Sequence, residues 1–322
     1  MKSLVVSPID PSTIEKLRQQ HDIICEYGAT TDVLEELTCT ARDSRNEKCS
    51  TEEPCTRTEH TMRVEFHQEW LPAPPDLPLS LHEIHVWGAS VDVDRPCIQD
   101  LHCILSHDEA EKAGRFRFAK DRDRFVVGRG LLRVILGRYL NQRPERLRFC
   151  SGPNGKPALV GQREGDGIHF NVSHSRGLVL YAFARGRRVG IDLEYVRRIP
   201  EASDIVERYF SSHERSVFRA LAPEARLEAF FRGWTCKEAY VKAIGHGLKF
   251  APDRFDVAIA PGEPARLLSV TADPAEAYRW SLCELLPARG YIGALAAEGS
   301  DWYLRRWFWT ENNASPIDRR LS

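Results

Sequence analysis

Two short segments carry residues whose types and spacing describe a place for a cation and a phosphate: GIDLE at Gly190 to Glu194, and WTCKEAYVK at Trp234 to Lys242. On a strand, residues i and i+2 leave the same face, so Asp192 and Glu194 point one way and Leu193 the other. On a helix, i and i+4 share a face, which sets Lys242 one turn beyond Glu238. If that strand and that helix meet, three carboxylates converge beside an ammonium. Hard oxygen donors of this kind suit Mg²⁺, which keeps several waters and is usually completed by substrate phosphates. Each segment alone is also what an ordinary strand or a solvated helix carries. A third segment, HFNVSHSRG at His169 to Gly177, adds Ser173 and His174 at the end of an apolar strand, where hydroxyl and imidazole groups commonly serve ligands.

With GKPAL at Gly155 to Leu159, these segments form a collinear set: GKPAL, FNVSHS, GIDLE and FRGWTCKEAYVKAIGHGL. In order and spacing the set resembles the 4′-phosphopantetheinyl transferases of the surfactin-synthetase type, over about Leu81 to Trp309. The resemblance implies transfer of the phosphopantetheine arm of coenzyme A to a serine of an apo acyl or peptidyl carrier protein, with release of 3′,5′-ADP. It also implies Mg²⁺ held by Asp192, Glu194 and Glu238, with Lys242 near the phosphates and Glu238 helping to deprotonate the incoming serine. The family's coenzyme contacts carry over to Lys112, Arg124, Lys156, Ser173 and His174. At Glu109 the chain departs from the best-known members, where a basic residue can stand, which puts one phosphate contact in doubt. Two other readings use the same carboxylates: a Mg²⁺-dependent phosphohydrolase or nuclease, and a coenzyme- or carrier-binding protein without turnover.

Between Lys112 and Arg148 there are twelve Lys or Arg against three Asp or Glu, in a chain of formal net charge −1. Apolar residues at Val127, Leu131, Val134, Ile135 and Leu140 recur at helical spacing, which reads as a helix with one buried stripe and solvated arginines, Arg129, Arg133 and Arg138 among them. The surplus charge suits an acidic carrier partner. A nucleic-acid partner would call for a globally basic chain, and the pI near 6.8 argues against it.

Composition, with 42% hydrophobic and 28% charged residues over 322 positions, describes a globular chain with room for two cores. The longest apolar runs fall short of the roughly 20 residues a bilayer needs. Nine scattered cysteines with no CxxC pair or metal-like spacing, and the lack of a signal-like apolar start, predict a protein of the reducing cytoplasm. The head, residues 2–37, reads as strand, helix, strand, helix. It is similar to the opening of D-2-hydroxyacid dehydrogenases, but no glycine-rich dinucleotide fingerprint follows. A polar stretch over 39–61 and the proline-rich LPAPPDLPL at Leu71 to Leu79 read as linker. The body reads as α+β, two similar α/β halves related by a pseudo-twofold axis and preceded by an atypical N-terminal extension. The expected divisions are 1–80, 81–186, 187–310 and a tail 311–322. Lys112, Arg124, Lys156 and His174 fall in the first half and the acidic residues in the second, so a cleft between halves needs both. A single chain holds the whole site, so a monomer suffices.

Overall fold

The computed structural model describes residues 65–67, 69–74, 77–152, 154–162, 165–245 and 251–310. The head expected over 2–37, the polar stretch 39–61 and the tail 311–322 lie outside the described residues. The first half comprises β1 (Leu71–Pro72), β2 (Glu83–Ser90), α1 (Arg95–Cys103), α2 (His107–Gly114), α3 (Ala119–Leu140), β3 (Phe149–Ser151), β4 (Pro157–Leu159), β5 (Ile168–Ser175) and β6 (Leu178–Arg185). There follow β7 (Val189–Tyr195), α4 (Ala202–Tyr209), α5 (Ser212–Ala220), α6 (Pro223–Ile244), β8 (Phe255–Val257), β9 (Leu267–Val270), β10 (Trp280–Leu285), β11 (Tyr291–Glu298) and β12 (Tyr303–Phe308).

The two halves repeat one topology. Each is a strand, three helices of which the last has 22 residues, a two-stranded ribbon and a β-hairpin. In each, the opening strand pairs with the last hairpin strand, giving the sheet orders β2-β6-β5 and β7-β11-β10. Each long helix ends at a left-handed residue, Asn141 (φ 48°) after α3 and Gly245 (φ 72°) after α6. That conformation stops a helix, and glycine and asparagine tolerate it best.

Alternation along the strands builds the layers. Ile84 and Val86 of β2 and Leu178, Leu180 and Ala182 of β6 share a core with Ile191 and Leu193 of β7, so the two sheets pack face to face. The opposite face of the first sheet, including Trp87 and Phe183, packs on Val127, Leu131 and Ile135 of α3. Phe230, Phe231 and Tyr240 of α6 pack with Ala294 and Ala296 of β11 on the outer face of the second sheet.

Three features differ from the expectations. Strand β12, expected in the second half, joins the first sheet in parallel with β2, where Trp307 stands opposite Trp87. A lone alternating strand does not name its partner, and here it covers what would be an open edge of β2. Second, the body starts before residue 81: Trp70 and Leu79 are buried in its cores and β1 pairs with β12. Third, α3 is not a helix with a solvated basic side. Arg129 and Arg133 are buried, Arg133 donating to Glu109 at 2.6 Å and to the carbonyls of Pro144 and Leu147 at 2.9 and 3.2 Å. A satisfied buried guanidinium looks identical to a solvated one in a helical pattern.

One buried group predicts a pH response. His85, 2% exposed, has Nδ1 2.7 Å from the Tyr139 hydroxyl, which also accepts from Trp87 Nε1 at 2.8 Å. Burial pushes its pKa down to about 4; Glu83 opposes that and Arg305 adds to it. The unfolded chain takes up a proton near the ordinary histidine value of about 6.5, whereas the folded one resists until about 4. Stability is therefore fully present above the unfolded value and is lost as pH falls through that window, by roughly 2–4 kcal/mol at about 1.4 kcal/mol per pKa unit. Urea midpoints recorded between these limits should fall with pH in the wild type, and His85→Asn should flatten that slope. An equal slope in the variant would reassign it to other groups.

Candidate active site

β7 supplies the first part of the site. Gly190, Asp192 and Glu194 line the face away from the inter-sheet core. A Cβ at Gly190 would lie 2.1 Å from the Ala239 carbonyl oxygen and 2.3 Å from the Ala243 nitrogen. Only glycine lets the backbones of β7 and α6 come so close, and the alanines beneath it are i and i+4 on the helix. This approach carries the α6 side chains to the carboxylates. Lys242 Nζ donates to Asp192 Oδ1 at 2.8 Å, with the Ser173 hydroxyl at 3.3 Å and the Ile191 carbonyl at 3.4 Å.

Asp192 and Glu194 are both fully buried. Burial, then the neighbouring Asp192 charge, raises the Glu194 pKa well above the carboxylate range, against the pull of Arg197 and Lys242. Glu238, half-buried on α6, is pushed up to about 7 by burial and by Asp192, with Lys242 opposing. The three carboxylates thus share one field. Two of their oxygens, Asp192 Oδ2 and Glu194 Oε1, are buried with no hydrogen-bond partner. Such atoms are costly in a low-dielectric interior, and a cation held between these two would satisfy both. Among the described residues, no three of His, Cys, Asp and Glu stand close enough to hold a metal ion as a ready-made set. The two open oxygens of Asp192 and Glu194 fit Mg²⁺, which takes one or two carboxylates and fills its shell with water and phosphate.

The remaining residues divide. His174, half-buried at the end of β5, lies in the field of Lys242 and Arg124; burial first, then those two cations, push its pKa down to about 4, so it stands as a neutral imidazole. Arg124 makes a bidentate pair with Asp92, at 2.8 and 2.9 Å. Lys156 donates to the carbonyls of Val189 and Lys242, both at 2.7 Å, and Ala243 at 3.4 Å, while Asn154 donates to the Gly245 carbonyl at 2.8 Å. The loop bearing GKP therefore clasps the C-terminal end of α6, where a cation complements the helix dipole. Lys112 sits half-buried in the last turn of α2. Glu109 is no coenzyme contact: it is buried, closes the capping box of α2 with Ser106 and binds Arg129 and Arg133. A basic residue there would face two buried guanidinium groups.

Sequence reasoning missed Asn171 and Ser175. Asn171 Oδ1 accepts from the Ile191 backbone N–H at 2.7 Å, and Ser175 Oγ from that of Tyr195 at 2.9 Å. The signal was present in FNVSHS, where polar residues at 171, 173 and 175 recur with strand period on a face that should be dry.

Comparison with known proteins gives the family of this chain. The model of the 4′-phosphopantetheinyl transferase superfamily matches residues 188–296, and that of the 4′-phosphopantetheinyl transferase N-terminal region matches 95–185. The 4′-phosphopantetheinyl transferase HetI of Nostoc sp. is 40% identical over 238 residues, 74% of this chain and 97% of that protein. The chain belongs to the 4′-phosphopantetheinyl transferase superfamily. The 4′-phosphopantetheinyl transferase Sfp of Bacillus subtilis is 31% identical over 169 residues, 51% of this chain and 73% of Sfp. The human L-aminoadipate-semialdehyde dehydrogenase-phosphopantetheinyl transferase is 26% identical over 231 residues, 68% of this chain and 75% of that protein. As a phosphopantetheinyl transferase, the chain is an enzyme that moves the phosphopantetheine arm of coenzyme A to a carrier protein. The phosphohydrolase and the turnover-free binding protein are not supported by these relatives. Among the described residues of this transferase no helix is long and apolar enough to cross a membrane.

Proposed function

We propose that the transfer takes place where β7 meets α6, with Asp192 and Glu194 holding Mg²⁺ and with Glu238 and Lys242 beside them. The observation that carries this reading is the pair of partnerless buried oxygens, Asp192 Oδ2 and Glu194 Oε1, next to an ammonium already anchored on Asp192. Asp192 and Glu194 would hold the ion there, and its charge would offset that of the pyrophosphate of coenzyme A.

The chain's own groups do the rest. Lys242, fixed by Asp192 and Ser173, presents a cation to the phosphate that departs with 3′,5′-ADP, where charge develops in the transition state. Glu238 takes the proton of the carrier serine, directly or through water. His174, neutral and close to two cations, offers an N–H to the nucleotide phosphates, and Ser173 lies beside it. Arg124 reaches the coenzyme with the edge of its guanidinium not engaged by Asp92. Lys112 adds positive charge from α2. Lys156 acts through α6, holding the carbonyls at Lys242 and Ala243. The carrier is an acidic acyl or peptidyl domain, the working unit a monomer, and the compartment the cytoplasm.

The experiment is direct. Purified protein is incubated with coenzyme A, Mg²⁺ and a panel of apo acyl and peptidyl carriers, and the carriers are weighed by mass spectrometry. A mass gain of one phosphopantetheinyl group on serine, abolished by EDTA and restored by Mg²⁺, is expected. Modification that persists undiminished in EDTA would remove the metal from the reading.

A further inference from the structure

The inner edges of the two sheets, β5 and β7, run alongside each other without a backbone ladder. Their place is taken by side chains. Asn171, Ser173 and Ser175, alternate residues of β5, accept from the backbone N–H groups of Ile191, Leu193 and Tyr195 at 2.7, 3.2 and 2.9 Å. The two serines go further. Ser173 Oγ donates to Asp192 Oδ1 at 3.1 Å and Ser175 Oγ to Glu194 Oε2 at 3.3 Å, and both hydroxyls are fully buried.

A hydroxyl has one proton to give. Because the strand N–H approaches each oxygen from β7, that proton is turned onto the carboxylate one residue earlier. One oxygen of each acid is thereby tied to the first half, and the other, Asp192 Oδ2 or Glu194 Oε1, is left without a partner. The same device appears twice, two residues apart. A seam serving adhesion alone would be satisfied by the N–H contacts and would not leave two buried carboxylate oxygens open.

We infer that Ser175, with Ser173, is a positioning residue: the seam between the halves fixes the rotamers of Asp192 and Glu194 so that their open oxygens face one divalent cation. The inference rests on the metal assignment above. It makes the first half a participant in cation binding although it contributes no ligand.

Mn²⁺ in place of Mg²⁺, titrated into the full-length protein without coenzyme A and followed by the EPR signal of free Mn²⁺, tests it. Ser175→Ala should weaken Mn²⁺ about 10-fold, the lower end of what loss of an outer-shell partner costs a metal site. Ser175→Cys keeps the volume and most of the fold but donates weakly, so it should weaken Mn²⁺ in the same direction and serves if the alanine variant does not fold. Asp192→Asn should remove the bound Mn²⁺. Wild-type affinity in a folded Ser175 variant, with only a lower melting temperature, overturns the positioning role and leaves the metal assignment standing. Mn²⁺ binding that survives Asp192→Asn overturns the metal assignment and the inference with it.

Discussion

Asp192→Asn is expected to lower the rate of 3′,5′-ADP release by about 10³-fold or more while the protein stays folded. Asparagine keeps the shape and an acceptor for Ser173 and Lys242, so the 2.8 and 3.1 Å contacts made by Oδ1 survive. What changes is the second position, where a partnerless oxygen becomes an amide N–H₂ aimed at the cation. Loss of one preorganised electrostatic contact costs about 10²–10³-fold in turnover, and here the contact would hold the proposed divalent ion, the largest charge in the site. Two opposing changes set the stability. Lys242 loses its counter-charge, while Glu194 and Glu238 lose the like charge that raises both. Because the two act in opposite directions, the net change is smaller than the larger of them. Initial rates with coenzyme A, Mg²⁺ and an apo carrier, beside a melting curve, check both halves of the expectation. Normal Mg²⁺-dependent turnover by a folded variant would end the assignment of Asp192.

The site was legible in the sequence where local periodicity decides geometry. Asp192 and Glu194 share a face because strands alternate, and Glu238 and Lys242 share one because helices turn in 3.6 residues. The duplicated α/β arrangement was legible because strand and helix patterns recur in the same order. Contacts that depend on which elements become neighbours were not. Lys156 reads as a phosphate ligand in GKP, yet it clasps the end of α6 from a distant loop. Ser175 carries no local signal of its own, yet it reaches a carboxylate 19 positions away. Glu109 reads as a departure from a basic phosphate contact, yet α3 brings two arginines over it. In each case a polar side chain finds its partner only after the sheets and long helices have packed.

Breaking the buried pair Lys237–Glu214 is expected to cost more stability than any other single polar change in the second half, about 3–5 kcal/mol. Lys237 stands beside Glu238 on α6 but points away from the site. Its ammonium, 2% exposed, lies 2.8 Å from Glu214 and donates to the carbonyls of Pro252 and Phe255 at 2.7 and 2.8 Å. Glu214 closes the capping box of α5 with Ser211 and accepts from the Val257 N–H at 2.8 Å. Burial raises the pKa of Glu214 and lowers that of Lys237, each opposed by its partner, so neither charge is tolerable alone.

The first half holds the same device: Glu109 in the capping box of α2, Arg133 on α3, and the carbonyls of Pro144 and Leu147, again three residues apart. Its recurrence in both repeats makes it part of the frame, and it shows where chemistry was added to that frame. One residue beyond the cation stands buried Val134 in the first half and Glu238 in the second; five beyond stand Arg138, which donates to the Pro74 carbonyl, and Lys242, which binds Asp192. Glu214→Gln and Lys237→Met should each lower stability by the full amount in chemical denaturation. The double variant should recover much of it, because a neutral pair leaves no uncompensated charge. Additive losses in that cycle would mean that the two groups do not act as a pair.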